Sequence, residues 1–280
     1  MLWKGRREST NVDDRRGMSG GGLAVGGGII GVIALLINFF LSGGDASQLP
    51  QQLPGGSSPE LSAEQQVVEN ELAGFVKVVF GDTEDVWNTL LGEDQYKEPT
   101  LVLFRRSTES GCGYASHASG PFYCPADQKV FIDLSFYEEL KSRFNVSGDF
   151  AMAYVVSHEV GHHIQYLMGT TEKMARARQQ VSEKEYNQMS VKLELQADFL
   201  AGVFAHHNQK MKNVLEAGDI EEALTAANAI GDDNLQRQSQ GHVVPDAFTH
   251  GTSEQRMYWF KKGFQTGDIR QGDTFAASDL

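Results

Sequence analysis

Residues 150–167 combine an apolar helical pattern with three polar side chains that such a helix has no ordinary use for. Met152, Val155, Val156, Val160, Ile164 and Leu167 recur at three- and four-residue spacing, and Gly169 follows as a stop. Inside that run lies His158-Glu159-Val160-Gly161-His162. Residues four apart stack on one helical face, so both imidazoles can reach a single ion. His163, five residues from His158, points elsewhere and is expected to be a packing or surface histidine. Unpaired His and Glu in an apolar helix cost free energy unless they have partners or a task. The pattern therefore predicts a metal site, with one Zn2+ per chain as the expected ion.

A hydrolytic zinc site needs a third protein ligand and an open position for water. A third histidine further along the same segment is excluded, because the places it requires hold Gln165 and Met168. Glu194-Leu195-Gln196-Ala197-Asp198 supplies a carboxylate from a later helix, with a second acid one turn on. Leu193, Leu195, Ala197, Phe199 and Leu200 make that helix otherwise apolar, which sets the pair apart from acids on a solvated face. Glu194 is expected as the third ligand. Asp198 is expected to accept the free imidazole N–H of a ligand histidine.

Glu159 is placed to act as general base on a metal-bound water and to return the proton to the leaving amine. For the oxyanion donor, His250, just before a helix start in Phe248-Thr249-His250-Gly251-Thr252-Ser253, is the first candidate, with His242 and Arg256 as alternatives. The reaction these groups suit is hydrolysis of a peptide bond. Two readings from other classes compete with it: a protein that binds peptides or membrane partners without cutting them, and a structural metal site locking two helices. Structural zinc usually takes a fourth protein ligand and more sulfur, and neither Cys112 nor Cys124 lies near these helices in sequence.

The remainder reads as a mostly helical α+β body with one small sheet. Ser62–Gln65, Ser182–Glu185 and Thr252–Gln255 are capping boxes, and Asp219 with Glu222 reads as a further cap. The first box opens a helix expected to reach about Phe80, with a shorter one over Thr83–Leu91. Thr100–Phe104 and Lys129–Leu134 read as strands. Between them a loop rich in Gly and Ser holds Cys112 and Cys124, which would pair in an oxidising compartment.

Ahead of the body, Leu23–Leu41 (LAVGGGIIGVIALLINFFL) carries no charge and is long enough for the ~30 Å hydrocarbon core. It exceeds a usual signal-peptide core and follows a long tail of mixed charge, so an uncleaved anchor is expected. That division gives a cytoplasmic tail over 1–20, a transmembrane helix over 21–41, a flexible linker over 42–60 and a folded domain over 61–280. Basic residues on the N-terminal side put the tail inside and the body outside, which favours the Cys112–Cys124 disulfide. Formal net charge is −13. A body this acidic repels phosphate backbones, so nucleic acid is not an expected partner.

The segments HEVGHHIQ, ELQADFLAG, AIGDDNLQRQ and THGTSEQR, in that order, resemble the bacterial family of neutral zinc metallopeptidases described as YpfJ-like. WKGRREST-NVDDRRG and GPFYCPADQKVFIDL add to the likeness, which covers nearly the whole chain except the linker. Its HExxH plus ExxxD arrangement is that of the gluzincins, of which thermolysin is the familiar member. The resemblance implies a zincin-like domain with a small antiparallel sheet, held in the inner membrane by one span and facing the periplasm. It also implies His158, His162 and Glu194 as ligands, Glu159 as base and Asp198 behind them. A substrate peptide would add to a strand of the sheet, here expected to be Lys129–Leu134.

Overall fold

The structure, a computed structural model, describes residues 1–17, 61–92, 94–116, 119–144, 146 and 148–277. In chain order the elements are β1 (Val12–Asp14), α1 (Ala63–Leu91), β2 (Thr100–Phe104), β3 (Ser107–Ser110), β4 (Gly113–Ser116), β5 (Phe122–Cys124) and β6 (Lys129–Asp133). Helices follow: α2 (Ser135–Phe144), α3 (Phe150–Leu167), α4 (Thr170–Ala177), α5 (Glu183–Lys212), α6 (Asp219–Ala229), α7 (Asp232–Gln240) and α8 (Ser253–Thr266). Short 3-10 turns lie at Pro245–Ala247 and Ile269–Gln271.

The mostly helical α+β character agrees with the sequence, but the sheet and the N-terminal region need correction. The main sheet runs β1-β2-β6-β5 and is not antiparallel: β1, β2 and β6 are parallel, and only β5 opposes its neighbour. Burial explains the parallel pair. Leu101, Leu103, Val130 and Ile132 feed the large helical core, while Val102, Phe104 and Phe131 feed a smaller one with Cys124. Strands buried on both faces suit parallel pairing. The β3–β4 hairpin forms a separate two-stranded ribbon.

A transmembrane helix preceding the body is not part of the described fold. Among the described residues no helix is long and apolar enough to cross a membrane. Residues 21–41, where the sequence predicts that helix, and the linker at 42–60 lie outside the described residues. Residues 1–17 do not form a separate tail but pack into the body. β1 adds to the sheet beside β2, and Trp3 meets Phe75 edge-on at 5.6 Å. Arg6 reaches Asp82 at 2.6 Å and Arg7 reaches Glu84 at 2.8 Å, both carboxylates being buried. A single crossing between residues 17 and 61 would put these parts on opposite sides of a bilayer, yet they share one sheet and one core.

The arm also explains why α1 is one helix rather than two. Gly81 does not interrupt it, because the glycine is there for space: a Cβ would lie 3.1 Å from the Ser9 amide nitrogen and 3.3 Å from the Arg7 carbonyl oxygen. The capping boxes at Ser62, Ser182 and Thr252 all form. The expected one at Asp219 does not, since Gly218 is the cap and Asp219 is the first helical residue. Glu222 instead caps a different helix, accepting the Phe150 N–H at 3.0 Å at the start of α3. α5 and α8 cross on reciprocal glycines. A Cβ on Gly202 would meet the Phe260 carbonyl oxygen at 2.1 Å, and one on Gly263 the Phe199 carbonyl oxygen at 2.0 Å.

The arm's two arginines yield a stability test. Replacing both Arg6 and Arg7 with alanine leaves Asp82 and Glu84 buried with fewer cationic partners. The expected loss is about 3–5 kcal/mol, read as a lower urea midpoint at unchanged slope. An unchanged midpoint would mean that the arm does not hold the body.

Candidate metal centre and active site

α3 and α5 can bring their polar residues together because the helices touch at a glycine. A Cβ on Gly161 would lie 3.2 Å from the Ala197 Cα and 3.1 Å from its carbonyl oxygen. That close approach sets Glu194, a turn earlier on α5, against the imidazoles of α3. His158 Nε2 is 3.2 Å from Glu194 Oε2, and His162 Nε2 is 3.5 Å from Glu194 Oε1. One ligand atom from each of the three residues lies within 4.8 Å of the others.

Both imidazoles are turned by their other nitrogen. His158 Nδ1 donates to Asp198 Oδ1 at 2.8 Å, and His162 Nδ1 donates to Gln165 Oε1 at 2.8 Å. With each Nδ1 engaged, Nε2 is the atom left to face an ion. Sequence reasoning anticipates Asp198 and misses Gln165, which lies one turn beyond His162. Its only sequence signal is a glutamine on an apolar helix, and the side chain is fully buried. Gln165 is itself fixed, donating through Nε2 to the Leu193 carbonyl at 2.7 Å and to Gln196 Oε1 at 3.2 Å.

Asp198 collects further donors. The Tyr154 hydroxyl gives Oδ1 a 2.6 Å bond, while Arg256 Nε donates to Oδ2 at 2.9 Å and Nη2 to Oδ1 at 3.0 Å. Burial pushes this carboxyl up, but Arg256 and His158 outweigh it and hold it down at about 2. The pairing removes Arg256 from the candidate oxyanion donors, since its guanidinium is buried and spent on Asp198. His242 is removed as well, being exposed and bonded to the Gln240 carbonyl.

His250 is buried and faces Glu194, whose carboxyl is pushed up by burial but held well below the usual carboxylate range by the neighbouring imidazoles, His162 foremost. Asp232 orients the His250 loop. Its Oδ2 accepts the backbone N–H groups of Thr249, His250 and Gly251 at 2.7, 2.7 and 3.1 Å, and its Oδ1 lies 3.3 Å from His250 Nδ1. The sequence pattern does not single out Asp232, which heads α7, a helix without a clear apolar stripe.

Glu159 is buried, and among the described residues nothing hydrogen-bonds its carboxylate. Burial raises its pKa above the usual range against the pull of His162 and His158. His163, fully buried, is held neutral by desolvation, with its pKa lowered to about 4. Cys112 and Cys124 are joined in a disulfide, Cα to Cα 5.8 Å, tying the β3–β4 hairpin to β5. Lys129–Leu134 cannot offer a free edge, because β6 lies between β2 and β5. β5 is an edge strand, as is β1 at the far side, and β5 is the one that packs against α3.

A family model described as "Putative neutral zinc metallopeptidase" matches residues 1–275, the N-terminal arm included. The chain belongs to this family. It is 47% identical to "Uncharacterized protein YpfJ" of Escherichia coli (strain K12), over 99% of this chain and 100% of that protein. It is 39% identical to "Uncharacterized protein Rv2575" of Mycobacterium tuberculosis (strain H37Rv), over 85% of this chain and 84% of that one. No solved structure gives a significant match. The donor set fits the family's metal: two imidazole nitrogens and one carboxylate, with both rings oriented from behind, are a group that could hold a zinc ion.

A zinc ion taken up by His158 would have to compete with a proton. In the metal-free chain, burial pulls the His158 pKa down, but Asp198 and Glu194 outweigh it and raise it to about 10. At neutral pH its Nε2 therefore carries a hydrogen, which zinc has to expel. Titrating zinc into the metal-free chain at pH 7 should release at least one proton per ion, measured calorimetrically in buffers of different ionisation enthalpy. Apparent affinity should rise at least about tenfold per pH unit between pH 7 and 9. Buffer-independent heats would contradict the assignment.

Proposed function

We propose that this chain is a zinc-dependent peptidase that hydrolyses peptide bonds, with His158, His162 and Glu194 holding the ion and Glu159 acting as general base. The observation that carries the reading is Glu159: a buried carboxylate with no hydrogen-bond donor among the described residues, next in sequence to one ligand and three residues from the other. A site that only held metal, or only bound peptides, has no use for a carboxylate held uncommitted beside the ligands with its pKa raised by burial. Zinc bound there supplies a more acidic water and a polarised scissile carbonyl.

The protein's own groups supply the rest. Glu159, with its pKa raised by burial, accepts a proton from the attacking water and passes it to the departing amine. His250, held by Asp232, donates a hydrogen bond to the carbonyl oxygen as negative charge develops on it. Tyr154 and Arg256 keep Asp198 in place, and Asp198 keeps His158 Nε2 turned inward. The substrate backbone extends along β5, the free edge beside α3, in the manner of an added strand.

Glu159→Gln removes the base and leaves the three ligands. Such a chain should bind one zinc, and its hydrolysis of fluorescein-labelled casein should fall at least about a thousandfold. Equal hydrolysis by the variant would sink the mechanism. Zinc binding without hydrolysis by the parent would favour a peptide-binding role. The Cys112–Cys124 disulfide supports work in an oxidising compartment, as an extracytoplasmic location would provide. Thiol labelling after rapid alkylation of intact cells should then leave both cysteines unmodified.

A further inference from the structure

β5 is three residues long and, among the described residues, pairs with β6 alone, through Phe122–Phe131, Tyr123–Val130 and Cys124–Lys129. A ladder that short does not hold a strand at a fixed distance from a neighbouring helix. Side chains do so instead, from both faces. On one face, Phe122 stacks on Phe131 at 4.7 Å and Cys124 is bonded to Cys112. On the other, Tyr123 points at α3 and meets His163.

The His163 ring has two different partners and only one way to satisfy them. Nε2 faces the Lys97 carbonyl oxygen at 2.5 Å, an acceptor, so Nε2 carries the hydrogen. Nδ1 is then a lone pair, and the Tyr123 hydroxyl donates to it at 2.9 Å. The ring is fully buried and packed between Tyr96, at 6.0 Å, and Tyr166, at 6.2 Å. It therefore links the helix that carries His158 and His162, the segment leading into β2, and the edge strand.

We infer that His163 and Tyr123 are positioning residues that set the gap between the metal-bearing helix and the strand edge on which an extended peptide lies. The inference rests on the peptidase reading. A peptide paired to β5 presents its scissile carbonyl to the α3 side chains only at one separation of strand and helix. A shift of even an ångström misplaces the reacting atoms. His163 follows the ligand His162 directly, so the rigid pair passes the position of β5 to the ligand set without touching substrate.

The test uses the full chain, zinc-loaded, in the Glu159→Gln background so that casein is not consumed. Tyr123→Phe removes one oxygen atom and keeps the ring. It should weaken binding of fluorescein-labelled casein, read by anisotropy, by about five- to tenfold. Hydrogen exchange at residues 122–124 should quicken, with zinc stoichiometry unchanged. In the active background, kcat should fall by at least about tenfold, because the scissile carbonyl is misplaced, and kcat/KM should fall further still. His163→Gln, which retains a donor and an acceptor, should fall between parent and His163→Phe. If Tyr123→Phe exchanges faster at β5 yet binds casein as the parent does, the pair is structural only and the inference is overturned. A parent that binds no casein would overturn the peptidase reading itself, an outcome distinct from unaffected variants.

Discussion

Asp198 is a carboxylate with no access to solvent, and the arrangement of the helical half follows from the need to compensate it. A buried charge of this kind is tolerated only with close partners. Its partners come from two other helices, Tyr154 and His158 from α3 and Arg256 from α8, with Asp198 itself on α5. Arg256 further donates to the Ile230 carbonyl at 3.3 Å, joining the end of α6 to the same network. The packing that permits it is equally strict, with Gly161 under Ala197 and Gly202 and Gly263 at the α5–α8 crossing. Asp198 thus does two things at once. It locks the helices and turns His158 Nε2 toward Glu194.

A second carboxylate repeats this logic at the other side of the site. Asp232 uses one oxygen for three backbone N–H groups of the 249–251 loop, and that fixes His250. The loop then leads directly into the Thr252 cap of α8, the helix that carries Arg256. Both carboxylates therefore depend on the same short stretch of chain between residues 249 and 256. His158, Asp198, Arg256 and the His250 loop are consequently joined through contacts.

The sheet contributes an edge rather than a platform. Parallel strands β2 and β6 are covered on both faces, β1 from the N-terminal arm covers one side, and β5 is left beside α3, the helix of His158 and His162. The arm matters more than its distance in sequence suggests. Its arginines neutralise Asp82 and Glu84 on α1, and its backbone requires the glycine at position 81. The family match beginning at residue 1 fits an arm that belongs to the domain.

Much of the site is legible in the amino-acid sequence. His158, Glu159 and His162 follow from helical spacing, and Glu194 with Asp198 from polar residues on an otherwise apolar helix, because a helix's geometry makes near neighbours in sequence near neighbours in space. Three capping boxes and two core strands are legible for the same local reason. Gln165, Asp232, the role of Arg256 and the neutral bridging of His163 are not, since each depends on which distant element packs opposite. The sheet's direction and edge are hidden too, because pairing is between segments whose order the sequence does not set. The N-terminal arm departs furthest from expectation: charge and hydropathy report on a segment alone, whereas the buried acids on α1 decide where its arginines go. What the sequence determined by itself was thus the chemistry available on each helix. The tertiary structure decided which of those groups face one another, since only packing sets distances between residues far apart along the chain.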